Sequence, residues 1–497
     1  MSRMTIKARI VLHAVGYVGW TLLASCAVGP DFKAPAAPNT PSYTHEKTAN
    51  KTASIAHAGT AGNTQYLELG QDISATWWEL FHSQTLDQLI LRGLKNNQTV
   101  VAAKAALRAA EETLSAETGV LLTPSVVLNG QDEEQQFNIG SLGLNQSSNK
   151  FNLYNVNVGV SYILDIWGGQ RRQVEQYRAK VDYKRYEWIA AYLTLESNIS
   201  TTAITVASLE AQVAAMQDLI AAEERLLQIF EQQLKLGGVS DQNIFSQEST
   251  LATAQANLPP LEKRLAQEKN ALAVLLGELP SEANLPHLAL HDFVLPSHIP
   301  LSIPSQLVAH RPDVQQAEAL LHEACAGIGV ATANMLPQIK LTGAYGISGT
   351  GSSGFSSFSD VWSVAAGLSQ VVFNGGALWS YRQMAIEQYK TALAQYKQTV
   401  LQAFQNVADS LRAIEEDAKL FERRRLAEVA THNAWYLTKQ QHHLGGASYS
   451  AVLSAEAQYQ EAHIQRILAE TSRYTDTVAL FQSLGGGWWN HNKGSIS

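Results

Sequence analysis

The sequence predicts an α+β membrane protein with two internal repeats, each joining a short β-hairpin to an unusually long helical hairpin. Three observations predict it. Blocks of sequence recur in order at a nearly constant offset. Two stretches, residues 170–236 and 377–444, contain neither Gly nor Pro, and apolar residues alternate with polar ones ahead of each.

The repeat comes first. Asn97-Gln98-Thr99-Val100 and Arg311-Pro312-Asp313-Val314 both open Ala-rich helical segments. Each segment then meets a proline, Pro124 or Pro337. Gly168-Gly169 recurs as Gly375-Gly376, and Leu236-Gly237-Gly238-Val239-Ser240 recurs as Leu444-Gly445-Gly446-Ala447-Ser448. Ala271-Leu272 and Leu276-Gly277 match Ala479-Leu480 and Leu484-Gly485. Four ordered matches identify two copies of one unit.

The stretches between the glycine motifs read as helices, since Gly or Pro inside a helix costs about 1 to 3 kcal/mol. At 1.5 Å per residue each would run about 100 Å. Ile199, Val206, Val213, Ile220, Leu227 and Leu234 fall at intervals of seven, and Leu195, Leu209, Met216 and Phe230 form a weaker second seam. Seven-residue spacing implies coiled-coil packing. Second helices follow over residues 241–276 and 449–484, so each unit is a helix, a tight turn and a helix running back. Glycine supplies the left-handed residue of each turn, with Ser240 and Ser448 as expected N-caps.

Ahead of the long helices the period becomes two. Tyr154, Val156, Val158, Val160, Tyr162 and Leu164 alternate with Asn155, Asn157, Gly159 and Ser161. Ile339, Leu341, Tyr345 and Ile347, then Trp362, Val364, Ala366 and Leu368, alternate in the same way. Residues 125–130 make a poorer fourth strand, and Gly/Ser/Asn-rich loops are expected at 139–149 and 349–359. This is the pattern of membrane β-barrel strands, with Tyr162, Trp167, Trp362 and Phe373 suited to an interfacial aromatic belt. Four strands cannot close a barrel, and open edges in hydrocarbon leave backbone groups unpaired at several kcal/mol each. Two chains would give eight strands packed shut by their own side chains; three would give twelve and a lumen. A conducting oligomer of at least three chains follows.

Composition excludes other classes. With 36 Lys+Arg against 44 Asp+Glu the net charge is -8, so a basic nucleic-acid binder is not expected. Two cysteines make no disulfide scaffold. Arg3, Lys7 and Arg9 precede an apolar segment, Ile10 to Leu23, with the proportions of a secretory signal. It ends in Leu23-Ala24-Ser25-Cys26, which resembles a lipoprotein box with Cys26 as the lipidated first mature residue. Residues 27–63 read as an extended tether. Cys325 reads as a small core residue. Gly349-Thr350-Gly351-Ser352-Ser353-Gly354 fits a nucleotide-binding spacing but opens no helix, so it reads as a hairpin loop. His287, His291, His298, His442 and His443 lack metal-site spacing, and His322-Glu323 lacks a zincin's second histidine. Asp409 has no paired carboxylate nearby in sequence, and no phosphate-binding loop is present. No enzyme, cofactor or metal is expected.

On these residues the chain resembles the outer-membrane efflux family of TolC and OprM, in its lipidated, NodT-type branch. The resemblance covers nearly the whole mature chain, down to the ending Leu484-Gly485-Gly486-Gly487-Trp488. It implies a homotrimer with a twelve-stranded barrel in the outer membrane that continues into a twelve-helix periplasmic tunnel. It implies passive export of drugs or toxic small molecules from an inner-membrane pump of the resistance-nodulation-division (RND) type through a periplasmic adaptor, or alternatively type I protein secretion. Adaptor contacts carry over to the tips, Gly237, Gly238, Val239, Ser240 and Gly445, Gly446, Ala447, Ser448. In OprM-like proteins a Leu and an Asp constrict the periplasmic end; Ser450 and Ser454 stand at those positions here. The expectation is a weaker gate, or one displaced to Val452 or Glu456. Ala27 after the cysteine implies the outer membrane.

The expected organisation is a signal peptide (1–25), a lipidated tether (26–70), a first repeat (71–277) and an equatorial connector (278–310). A second repeat (311–484) and a C-terminal tail (485–497) complete it. The hairpins fall at 125–165 and 338–373, and the helical hairpins at 170–276 and 377–484.

Overall fold

A computed structural model describes residues 27–45, 49–55, 58–137, 149–351 and 358–490. The signal segment and Cys26 lie outside the described residues, as do residues 138–148 and 352–357 of the hairpin loops and residues 491–497 of the tail.

The Gly- and Pro-free stretches are single helices. After β1 (Tyr66–Leu69), α1 (Gln84–Asn96) and α2 (Gln98–Leu122) come strands β2 (Ser125–Phe137) and β3 (Asn149–Leu164). Helix α3 (Gly169–Lys235) has 67 residues and returns as α4 (Asp241–Leu275), which has 35. The connector holds β4 (His298–Leu301) and α5 (Pro304–His310), followed by α6 (Pro312–Ala333). Strands β5 (Gln338–Gly351) and β6 (Phe358–Ser369) precede α7 (Ala377–His443), again 67 residues, and α8 (Tyr449–Ser483), again 35. The Asp165 carboxylate starts α3 by accepting from the Gln170 and Arg171 amides at 2.9 and 3.0 Å.

Both long helices stop by one device. Gly237 and Gly445 have φ of 77° and 78°, and the amides of Gly238 and Gly446 donate to the carbonyls of Gln233 and Gln441, each at 2.8 Å. This is a left-handed glycine closing a helix, with its amide hydrogen bonds directed back onto the last turn. Ser448 accepts from the Ala451 amide at 3.1 Å, whereas at Ser240 it is the Asn243 side chain that accepts, from the Ser240 amide at 3.2 Å.

The strands form one antiparallel sheet in the order β2-β3-β5-β6, so β2 and β6 each have a partner on one side only. Val126, Val160, Gly343 and Val364 form one cross-strand row, and Leu128, Val158, Tyr345 and Trp362 the next. Bounds differ from the sequence reading in three places. β2 runs to Phe137, seven residues past the alternating part, because hydrogen bonding to β3 needs only backbone. Residues 349–351 and 358–359 belong to strands, which shortens the second loop. β6 ends at Ser369, leaving Phe373 outside the sheet. A second, two-stranded sheet pairs β1 with β4 in parallel, Tyr66 beside His298 through Leu69 beside Leu301. The tether reading did not anticipate it.

By compactness the chain forms two units. One comprises the described parts of 1–35, 107–184 and 317–396 and holds the four-stranded sheet; the other comprises 36–106, 185–316 and 397–497. Each repeat contributes to both. The core of the second unit gathers Ile73, Trp77, Phe81, Phe293, Tyr474 and Phe481, all but sealed from solvent, with Trp77 stacked on Phe481 at 5.2 Å.

Candidate functional site

Away from the charged far half of β2, the sheet has two faces of different character. The even residues of β2, β3 and β6 share a face with the odd residues of β5, which gathers Val126, Leu128, Val156, Val158, Val160, Leu341, Tyr345, Ile347, Trp362, Val364 and Leu368. They are exposed, Trp362 at 72% and Val364 at 81%, far beyond what an isolated sheet would leave to water. The opposite face is mostly polar, with Val127, Ile163 and Val361 among its Asn, Ser, Gln and Thr residues. Asn129 donates to Asn157 at 3.2 Å, Asn157 to Asn155 at 3.2 Å, and Ser125 and Ser161 share a 2.8 Å hydroxyl bond. One face suits hydrocarbon and the other suits water.

The tip residues Gly237, Gly238, Val239 and Ser240, and Gly445, Gly446, Ala447 and Ser448, are the two turns joining α3 to α4 and α7 to α8. The leucine before each turn, Leu236 or Leu444, is almost fully exposed. In the second turn His442 Nδ1 donates to the Ala447 carbonyl at 3.0 Å, and its ring lies 5.3 Å from Tyr449.

Ser450 and Ser454 sit in the first two turns of α8. Ser450 is half-buried and shares a hydroxyl bond with Ser448 at 2.9 Å, whereas Ser454 is exposed. Val452, one of the two alternative gate positions, is buried. Glu456 is engaged by Arg225 at 3.1 Å, an ion pair joining α8 of one hairpin to α3 of the other.

Sequence reasoning missed the polar fastening inside the second hairpin. Glu428 of α7 is buried and receives Arg425 at 2.6 Å from its own helix, then His463 at 2.6 Å and Arg466 at 3.1 Å from α8. Burial alone would raise the Glu428 carboxyl; the bonds from His463 and Arg425 and the charge of Arg466 overcome it and hold it below the ordinary value. Above it Trp435 lies flat on Tyr459 at 5.6 Å, with Lys439 over the same indole. Shifting the first hairpin's heptad by the 208-residue repeat offset would have found the spot, because Ile220 maps onto Glu428 and Leu227 onto Trp435.

Three further titratable groups belong to the second unit, Glu196 and Arg473 buried and Asp417 half-buried. Burial raises the Glu196 carboxyl well above its ordinary value, opposed by a bond from Trp77 Nε1 at 3.3 Å. Burial lowers Arg473 to about 10; it donates to the carbonyls of Ala61 and Asn63 and lies over Phe421. Burial, then the hydrogen bond and charge of Asp476, raise Asp417 to about 7. Among the described residues no three His, Cys, Asp or Glu side chains group to hold a metal. Asp409 is exposed and accepts from Gln405 at 3.3 Å. Cys325 is buried. Of the glycine-rich motif, Gly349 to Gly351 lie in β5 and the rest outside the described residues.

Against known proteins, the family model described as outer membrane efflux protein matches residues 89–278 and 303–486. A pyoverdine export outer membrane protein, OpmQ of Pseudomonas putida, is 28% identical over 428 residues, covering 83% of this chain and 88% of that protein. Nodulation protein T of Rhizobium leguminosarum is 27% identical over 470 residues, covering 94% and 92%. Among solved structures, the outer-membrane channel OprN superposes with a TM-score of 0.81 at 23% identity, covering 93% of this chain and all of that one.

Proposed function

The chain belongs to the outer membrane efflux protein family, and from that premise we propose that it is the outer-membrane exit duct of a tripartite efflux system, passively conducting toxic small molecules to the exterior. The single observation that carries the reading is the sheet, with one apolar face, one mostly polar face and two unpaired edges, β2 and β6. In hydrocarbon both edges must find partners. Three copies joined β6 to β2 make twelve strands around a wet lumen, and three sets of α3, α4, α7 and α8, with α2 and α6 completing the wall, supply the periplasmic tunnel. Lipid on Cys26 anchors each copy to the outer membrane.

Energy comes from outside the chain, from an RND-type pump that delivers cargo through a periplasmic adaptor seated on the tips 237–240 and 445–448. The pyoverdine-exporting relative supports small-molecule cargo. Ser450 and Ser454 make a neutral constriction in this reading, and the Arg225–Glu456 pair holds the two hairpins together beside it. Two measurements test the assignment. In planar bilayers the purified protein should show clear resting conductance, raised several-fold by Glu456→Gln; very low resting conductance that depends on Ser454 would overturn the weak gate. Deleting the gene should sensitise cells to toxic compounds, and unchanged sensitivity with loss of a secreted protein would replace efflux by protein export.

A further inference from the structure

The residues directly after Cys26 do not hang free. The Val28 amide donates to the Trp167 carbonyl at 2.9 Å, just past the end of β3. The Arg172 side chain, 6% exposed, donates through Nε to the Val28 carbonyl at 3.3 Å and through Nη2 to Asp31 at 2.6 Å. Its Nη1 binds Glu175 at 2.8 Å, and Glu175 in turn binds His322 of α6 at 2.8 Å. The His322 ring lies flat against Phe32, centroids 4.3 Å apart and 13° from parallel. The Cys325 thiol reaches the Pro30 carbonyl at 3.7 Å.

Glycines keep this groove open. A side-chain carbon on Gly329 would lie 2.9 Å from the Val28 carbonyl oxygen, one on Gly168 2.6 Å from Ala27 Cα, and one on Gly29 2.5 Å from Gly329 Cα. Backbone therefore lies on backbone along this segment, an approach only glycine permits.

We propose that the groove between the first turns of α3 and the second half of α6 is a seat for the segment 27–32, which fixes the chain's lipid attachment point at the end of β3. The proposal rests on the lipoprotein reading of Cys26. Consecutive Cα atoms are about 3.8 Å apart, so the acylated residue stands one peptide from Ala27. A free tether of about 40 residues would instead wander over roughly 35 Å. Seated, the acyl chains enter the leaflet beside the strand ends and hold the sheet at one depth.

Hydrogen–deuterium exchange on the full-length acylated protein in detergent tests the seat. The Val28 amide should exchange about 100-fold more slowly than an unprotected amide. Arg172→Leu should return it to the unprotected rate while α6 stays protected. Asp31→Ala removes one arm at an exposed carboxylate and should give partial loss, a check that survives if Arg172→Leu misfolds. Unprotected exchange of Val28 in the unsubstituted protein would overturn the seat, as would protection indifferent to both substitutions. The mass of the N-terminal peptide reads acylation separately: a protected Val28 behind an unmodified terminus would strike the lipid reading and leave the groove standing.

Discussion

The two helical hairpins share a frame and differ in what fastens it. Their long helices have 67 residues each, their returning helices 35, and their turns the same glycine geometry. In the first hairpin Gln247 donates to Glu223 at 2.5 Å and Gln255 to Glu224 at 3.2 Å, while Ile220 and Leu209 sit buried on the seam. In the second, the equivalent seam positions are Glu428 and Asp417, tied to α8 by arginine, histidine and a second aspartate. Duplication has preserved the backbone, which the glycines and the Gly/Pro-free stretches dictate. The cross-helix chemistry diverged, because either kind of side chain can fill a seam. The first hairpin is held by apolar packing and amides with one cross-helix ion pair, Lys269 to Glu210 at 2.7 Å; the second adds a buried charged cluster to its own apolar seam.

The largest test of that contrast is Glu428→Ala. Removing a buried carboxylate that two arginines and a histidine share should cost about 3–5 kcal/mol, read by thermal unfolding. Gln247→Ala in the first hairpin should cost about 1–3 kcal/mol, through a buried Glu223 left unpaired. Equal losses would dissolve the contrast. Next come the turns, where the hairpins should behave alike. Gly237→Ala and Gly445→Ala force a left-handed residue to carry a side chain and should each cost about 1–2 kcal/mol; a marked inequality in local exchange rates would show that the turns are not equivalent.

The smallest effect is on pH. Asp417 is raised from 3.8 to about 7, so the folded state holds a proton that the unfolded chain gives up. Its stabilisation is complete below about 4 and disappears as pH rises through about 7. The pair is half-exposed, and screening leaves about 1 kcal/mol. Unfolding midpoints between pH 5 and pH 8 should therefore fall, and Asp417→Asn should flatten the slope. Leu209 stands at the corresponding place in the first hairpin, so no matching slope arises there. Persistence of the slope in Asp417→Asn would assign it elsewhere.

Much of the frame was legible in the sequence because glycine and proline punctuate it. The absence of both over residues 170–236 marked α3 nearly to the residue, and alternation from Tyr154 to Leu164 marked β3 and its apolar face. The far half of β2, rich in Gln and Glu, was not legible, since its pairing rests on backbone hydrogen bonds. The Arg473 clamp on residues 61–65 and the Arg172 seat for residues 27–32 were equally hidden. Each joins positions far apart in the chain, partly through backbone carbonyls, which carry no residue identity. The tip positions were readable as turns; Val452, two residues from both Ser450 and Ser454, lies about 200° around the helix from them and is buried.

Helix α4 carries Pro259 and Pro260 within its length, at the level where α8 has Ile467 and Leu468. Two rungs of its ladder are therefore missing, and the carbonyls of Gln255 and Ala256 have no amide hydrogen to receive. Stiffness along a rod is set by its weakest cross-section. Any flexing of the first hairpin should concentrate at this joint, about 18 residues from its turn, whereas the second hairpin, with every rung in place, bends as one piece.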